Sequence, residues 1–290
     1  MKKHSLSLLM LVILSITFFS FNSVQASSFG TGTLNVNVTL TYDPTQMQWL
    51  NKISSLETWT IGEIFSPYPT LVADDSKALY DTSPGWTPVP GPISLNYGGS
   101  SVNITSSINA TNVFNPSGTS TVQVTGLVAP DPSQYNYSYS NMIYIAGLHA
   151  LADGSFTFTV DYNGTWSGST SAIGDYVGLA GDIQAGVVSV KWNSSIGQWD
   201  YTTVASNDKY RNLFLQDGQV GSINDFAGQV LLTVNFNQGD DFYIRNDNSN
   251  YLYAYSAPQM SAVPEPATML LLGSGLIGLA GYGRKKLFKK

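Results

Sequence analysis

Cysteine is absent from the 290-residue chain, histidine occurs twice, and charged residues make up only 11% of it. Without cysteine there is no disulfide framework, no cysteine-ligated zinc or iron–sulfur centre and no cysteine nucleophile. One histidine, His4, lies at the extreme N-terminus, which leaves His149 alone in the rest of the chain. A histidine-based zinc or iron site fails on that count. His149 sits in the apolar stretch Gly147-Leu-His-Ala-Leu151, and no Gly-x-Ser-x-Gly elbow occurs, so no nucleophilic triad is read. No phosphate-cradling glycine motif occurs in the body. These absences remove most enzyme classes.

The scarce charge is unevenly placed. Lys2 and Lys3 precede an apolar run from Leu6 to Phe21, which closes on Val24-Gln25-Ala26. A basic start, an apolar centre and a small-x-small end define a secretory signal peptide over 1–26, cleaved after Ala26 by the Sec and signal-peptidase machinery. At the other end, Ala267–Gly283 is a stretch of 17 residues without charge. As a helix it spans about 25 Å, the short edge of what crosses a bilayer. Arg284, Lys285, Lys286, Lys289 and Lys290 follow, and such a cluster stays on the cytoplasmic side. Pro264 and Pro266 deny helix hydrogen bonds, so the helix starts at or after Pro266.

A bare anchor explains the apolar run and the basic end, but not the Pro264-Glu265-Pro266 directly before them. That order strongly resembles the PEP-CTERM sorting signal of Gram-negative bacteria. The resemblance covers about residues 263–290. It implies that Pro264, Glu265 and Pro266 are the recognition motif, 267–283 the membrane span, and Arg284, Lys285 and Lys286 the stop. It also implies a partner, exosortase, an integral-membrane cysteine transpeptidase of organisms that make extracellular polysaccharide. The implied route is export across the inner membrane, transient C-terminal anchoring, then the cell surface or the extracellular space. The Phe156–Tyr162 hairpin and the Phe242–Ile244 strand also resemble the bodies of many such proteins.

Between the ends lies a body over 27–262. Its six basic residues against eighteen acidic ones leave a net charge of −12, so nucleic acid and anionic lipid should repel it. Thr33–Tyr42 alternates without error, with Leu34, Val36, Val38, Leu40 and Tyr42 on one face. Ser155–Tyr162 repeats the pattern and ends in Asn163-Gly164, a hairpin signal. Val188–Trp192 and Trp199–Thr203 alternate around a turn at Asn193–Gly197. Val230–Phe236 and the strand at Phe242 and Ile244 flank a turn at Asn237–Asp240. A turn at Asn246–Asn250 is then read before Tyr251–Tyr255. Weaker strands are Val102–Ile104, Val122–Val124 and Met142–Ile145. The predicted class is all-β, a β-sandwich or jelly-roll-like body with one short helix, flanked by the signal helix and the transmembrane helix. The short helix is Thr45–Leu56, capped by Asp43 with Pro44 at its first position. Asp74–Tyr80 reads as a single helical turn. Residues 65–92 are Pro-rich, either a long surface loop or an internal boundary.

The body offers few chemical groups. Adjacent Asp74-Asp75 and Asp240-Asp241 point to opposite faces if extended, so neither is a natural acid/base pair. Asp240, Asp241 and Asp247 are the candidates for a calcium site; no other cofactor is expected. Glycan binding needs exposed aromatic planes. Trp192 and Trp199 alternate within strands and read as core, whereas Trp86 in the Pro-rich stretch and Trp166 just past a hairpin turn read as exposed. Tyr135-Asn-Tyr-Ser-Tyr139 puts Tyr135, Tyr137 and Tyr139 on one face if extended. The leading reading is a non-enzymatic exported surface or matrix protein, associated with polysaccharide. Its alternatives are a polysaccharide hydrolase using paired aspartates and a plain tail-anchored envelope protein.

Overall fold

Leu34, Val36, Val38 and Leu40 turn into the interior while Asn35 and Asn37 remain exposed, so the period-two pattern of the first strand is expressed directly. That strand is β1 (Ser27–Thr41) in a computed structural model that describes residues 27–50, 55–81, 92–97, 100–109, 117–127 and 133–258. Twelve further strands follow among the described residues. They are β2 (Met47–Trp49), β3 (Ser55–Phe65), β4 (Leu71–Asp81), β5 (Ile93–Tyr97), β6 (Ser100–Asn109) and β7 (Ser117–Leu127). The longer ones come later: β8 (Gln134–Ala150), β9 (Gly154–Thr170), β10 (Tyr176–Asn193), β11 (Gln198–Gln216), β12 (Val220–Phe236) and β13 (Asp241–Ser256).

Two antiparallel sheets result. The first has the order β12-β9-β1-β7-β6-β5, and the second β11-β10-β13-β8-β3-β4 with β2 beside β8. Strands on either side of the Pro-rich stretch enter the same sheets, since β3 pairs with β8 and β1 pairs with β7 and β9. One apolar cluster joins the inner faces, with Leu34, Phe156, Phe158, Val177, Ile183 and Ile244 fully buried. Each such side chain contributes about 1.5–3 kcal/mol. The interior also has a polar part. Asn136, Ser138 and Ser140 of β8 and Asn246, Asn248 and Asn250 of β13 all face inward and are buried.

Four local expectations are corrected. Asp43 does cap a turn, its Oδ1 accepting from the Thr45 amide at 2.8 Å, and the Met47 amide reaches the Asp43 carbonyl at 3.0 Å. The helix goes no further, because Met47 pairs with Ala150 and buries its side chain in the core. No helix occurs among the described residues. Asp74–Tyr80 lies within β4, paired to β3 from Leu56↔Asp81 to Phe65↔Leu71. The first part of the Pro-rich stretch is therefore a tight turn at Ser66–Thr70 and a strand, while 82–91 lies outside the described residues. Asn163-Gly164 is mid-strand in β9, and Asn246–Asn250 is mid-strand in β13. In both places the polar residue serves the sheet rather than a turn.

Candidate functional site

Tyrosines repeat at every second position in two segments, Tyr135-Asn-Tyr-Ser-Tyr139 and Tyr251-Leu-Tyr-Ala-Tyr255. In a strand that spacing puts all three rings of each segment on one face. The segments are neighbours in the second sheet, in a register that pairs Tyr135 with Tyr255, Tyr137 with Tyr253 and Tyr139 with Tyr251. Six rings thus form three cross-strand pairs on the outer face, all partly exposed. Tyr137 and Tyr139 lie nearly parallel, 8° apart with centroids at 6.4 Å. Tyr135 stacks on Tyr253 at 6.3 Å, and Tyr176 of β10 stacks on Tyr255 at 4.9 Å. Phe65 and Tyr68 extend the surface beyond Tyr135, at 5.7 and 5.4 Å.

The hydroxyls at this face are partly withdrawn from water. Burial pushes the phenol of Tyr137 up to about 12 and raises those of Tyr135 and Tyr251 as well. Tyr251 also meets Tyr210 of β11, their oxygens 2.9 Å apart. The face therefore presents flat apolar planes edged by neutral hydroxyl groups, the chemistry that stacks on sugar rings. Sequence reasoning singled out Tyr135, Tyr137 and Tyr139 and missed Tyr251, Tyr253 and Tyr255. The same alternation in Tyr251–Tyr255 carried the signal.

The tryptophans are placed the other way round from expectation. Trp166 is 1% exposed and lies between the sheets, because Asn163-Gly164 makes no turn ahead of it. Trp192 and Trp199 are 55% and 50% exposed and meet edge to face at 5.2 Å, on either side of the β10–β11 turn. Both lie on the outer face of the second sheet, in the same parity as Val188 and Val190 and opposite to the inward Ala185 and Val187. Trp86 lies outside the described residues, as do Ala26, Pro264, Glu265, Pro266, Arg284, Lys285 and Lys286.

The three candidate calcium ligands do not converge. Asp240 in the turn before β13 lies 3.3 Å from Lys191, and its carboxyl is held below the usual range chiefly by the Asn237 amide. Asp241 contacts His149 at 2.6 Å between Oδ1 and Nδ1. Asp247 is six residues along the strand, about 20 Å away, and receives Arg245 at 2.8 Å. No cluster of three or more His, Asp or Glu suited to a metal occurs among the described residues.

Residues 262–285 match the family model of the PEP-CTERM protein-sorting motif. The motif implies an exported surface protein sorted by exosortase. No helix among the described residues is long and apolar enough to cross a membrane, and the 267–283 segment lies outside them. No curated protein matches the chain. Among solved structures, the N-terminal CBM22-1-CBM22-2 tandem domain of Xyn10C from Paenibacillus barcinonensis aligns over 78% of each chain, at 7% identity and a TM-score of 0.13. The infectious bursal disease virus Gx strain aligns over 87% of this chain and 75% of its own, at 7% identity and a TM-score of 0.10. Scores this low carry no structural argument.

Proposed function

We propose that this chain is an exosortase-processed cell-surface or matrix protein whose body works by binding, and that the tyrosine face of the second sheet contacts extracellular polysaccharide. The paired ladder of Tyr135, Tyr137 and Tyr139 with Tyr255, Tyr253 and Tyr251 carries the binding reading. Six aligned rings on one exposed sheet face are more than folding requires, since outward aromatics gain less from burial than inward ones. The acidic body and its scarcity of catalytic groups support a binding role over a chemical one.

In this reading the tail anchors the chain after export, and cleavage near Pro264–Pro266 releases the body or passes it to another anchor. Mass spectrometry of the C-terminal peptide from native cells tests the processing, and an intact tail on the mature protein overturns it. Replacing Pro264, Glu265 and Pro266 by Ala separates this from a plain tail-anchored protein, whose sorting would not change. Glycan-array binding by the protein, lost on replacing Tyr137 and Tyr253 by Ala, tests the face. A protein silent on all glycans sinks that part of the reading.

One observation favours the hydrolase as a second reading. Asp208 of β11 and Asp247 of β13 are both paired in register with Gln184 of β10, and so flank it on the same outer face. Two neighbouring strand spacings put their backbones about 10 Å apart, within range of a carboxylate pair acting across a sugar. New reducing ends from a polysaccharide, abolished by Asp208→Asn, would favour it.

A further inference from the structure

Beside the tyrosine ladder, the outer face of the second sheet is hollowed along β10. Its outward positions from Gly186 to Val190 are occupied by the small side chains of Gly186, Val188 and Val190, flanked on β13 by the longer Arg245 and Tyr243 and on β11 by Tyr201. Two concavities lie along this line. One of about 290 Å³ is bounded by Asp208, Arg245 and Asp247, and one of about 680 Å³ by Trp199, Tyr201 and Asp241. Both include Val188 and Tyr243, so they form one continuous trough. From Gln184 to Val190 it runs about 20 Å parallel to the strands. At one end Tyr210 and Tyr251 meet across β10 and close it. At the other, Trp199 stands against Trp192.

The charge on this face is one-sided. The outward residues of β3, β8, β10, β11 and β13 include Glu57, Glu63, Asp182, Asp208, Asp241 and Asp247. Arg245 is the single Lys or Arg among them, and it is bound to Asp247. Lys191, Lys209 and Arg211 alternate to the other side of the sheet. Asp182 is held above the usual carboxylate range by burial, with Asp208 and Asp247 adding repulsion.

We propose that this trough binds a linear glycan bearing free amino groups, a polymer of amino sugars whose ammonium groups meet Asp208 and Asp241 while its ring faces lie on Trp199, Tyr201 and Tyr243. The proposal rests on the glycan-binding reading above and names its substrate class. Charge decides between glycans. A neutral chain in the trough would take carboxylates out of water without replacing their solvation, a cost that a cationic chain offsets. Shape favours a polymer, because the trough follows β10 for about 20 Å, from the Tyr210–Tyr251 pair toward Trp199.

Isothermal titration of the full-length protein in detergent tests it, with de-N-acetylated chitosan oligosaccharide, its fully N-acetylated counterpart and oligolysine as probes. The expected result is at least about tenfold tighter binding of the chitosan oligosaccharide than of the acetylated one, weakening with salt. Asp208→Asn and Trp199→Ala should each reduce that binding; both positions are exposed, and unchanged far-ultraviolet circular dichroism checks that the variants fold. Equal affinity for the acetylated and de-acetylated chains overturns the amino-sugar assignment and leaves the glycan reading standing. Binding that both substitutions leave intact overturns the trough as the site. Oligolysine that binds as well as the chitosan oligosaccharide makes a basic peptide the occupant and overturns the proposal. Silence toward every glycan overturns both this proposal and the reading beneath it.

Discussion

The indole nitrogen of Trp166 donates to the Asn250 side-chain oxygen at 2.9 Å, tying β9 of one sheet to β13 of the other through the interior. Asn250 in turn donates to the Ser120 hydroxyl at 2.9 Å, the Ser120 carbonyl at 3.1 Å and the Gly32 carbonyl at 3.3 Å. Three strands of the first sheet therefore converge on one amide of the second. The ring fits because Gly32, Gly164 and Gly181 surround it. A Cβ on Gly164 would stand 2.2 Å from the indole, closer than atoms pack.

Trp166→Phe should cost about 2–4 kcal/mol, because it leaves a buried amide oxygen unpaired and removes ring volume. Gly164→Ala should be destabilising by overpacking, at about 1–3 kcal/mol. Urea unfolding followed by circular dichroism measures both. A Trp166→Phe variant as stable as the parent would mean that the Asn250 network is not organised around this ring.

The exposed pair should behave in the opposite way. Trp192→Ala and Trp199→Ala should each change stability by less than about 1 kcal/mol, since their rings lie half in water and touch mainly each other. Iodide quenching supplies the second measurement. The fraction of fluorescence open to quencher should fall when both are replaced by Phe, and should not fall for Trp166→Phe.

These contrasts show where the sequence is readable. β1, the first half of β9 and the second half of β12 alternate cleanly because one side of each meets apolar core and the other water. β8 is harder to read. Its inward half from Asn136 to Ser140 is polar, while Ile143 and Ile145 on the opposite side are buried beside inward Met142 and Tyr144, so both faces lose their contrast. In β13 the run Asn246–Asn250 has turn-like composition, yet Asn246 and Asn248 donate to the Gln184 and Met142 carbonyls of the flanking strands, and Asn250 donates to the Ser120 carbonyl of the other sheet. Period-two analysis assumes an apolar interior, and a hydrogen-bonded asparagine row violates that assumption. The same failure displaced the candidate site. Reading Asn163-Gly164 as a turn exposed Trp166 on paper, whereas Gly164 is there to admit the indole. The tyrosine face was half legible from Tyr135–Tyr139, and its register with Tyr251–Tyr255 is a tertiary fact no local pattern carries.

The buried tyrosines give the protein an alkaline limit. Burial raises Tyr144, Tyr135, Tyr137 and Tyr251 above the ordinary phenol value of 10.0, Tyr137 to about 12. A raised phenol pKa means the fold disfavours the ionised form. Its stabilising contribution is complete below about pH 10, the unfolded value, and is lost as pH rises through the folded value. Tyrosinate absorbance should therefore show one fraction titrating near the ordinary value and another appearing only above it, together with loss of sheet signal in circular dichroism. Tyr137→Phe should shrink the late fraction and move alkaline unfolding to higher pH. Titration of every tyrosine in one step near pH 10, with the sheet intact, would contradict the burial of Tyr144 and the partial burial of the tyrosine face.

The last test separates a polar group that stabilises from one that does not. Asn250 and Ser138 face the same interior, two residues out of register across β8 and β13. Asn250 makes four hydrogen bonds, while the Ser138 hydroxyl is buried with no partner among the described residues. Ser138 is opposite Leu252 on β13 and Gly62 on β3, so a methyl group meets an apolar neighbour there. Removing an unbonded buried hydroxyl relieves a desolvation cost of about 1–3 kcal/mol, less the small loss of packing. Ser138→Ala should thus be neutral or stabilising by up to about 1 kcal/mol, and Asn250→Ala should destabilise by about 3 kcal/mol or more because it strands Trp166 and Ser120 as well. Paired urea titrations of the two variants measure the difference. A Ser138→Ala variant destabilised as much as Asn250→Ala would mean that an ordered water completes the hydroxyl's bonds and belongs to the core.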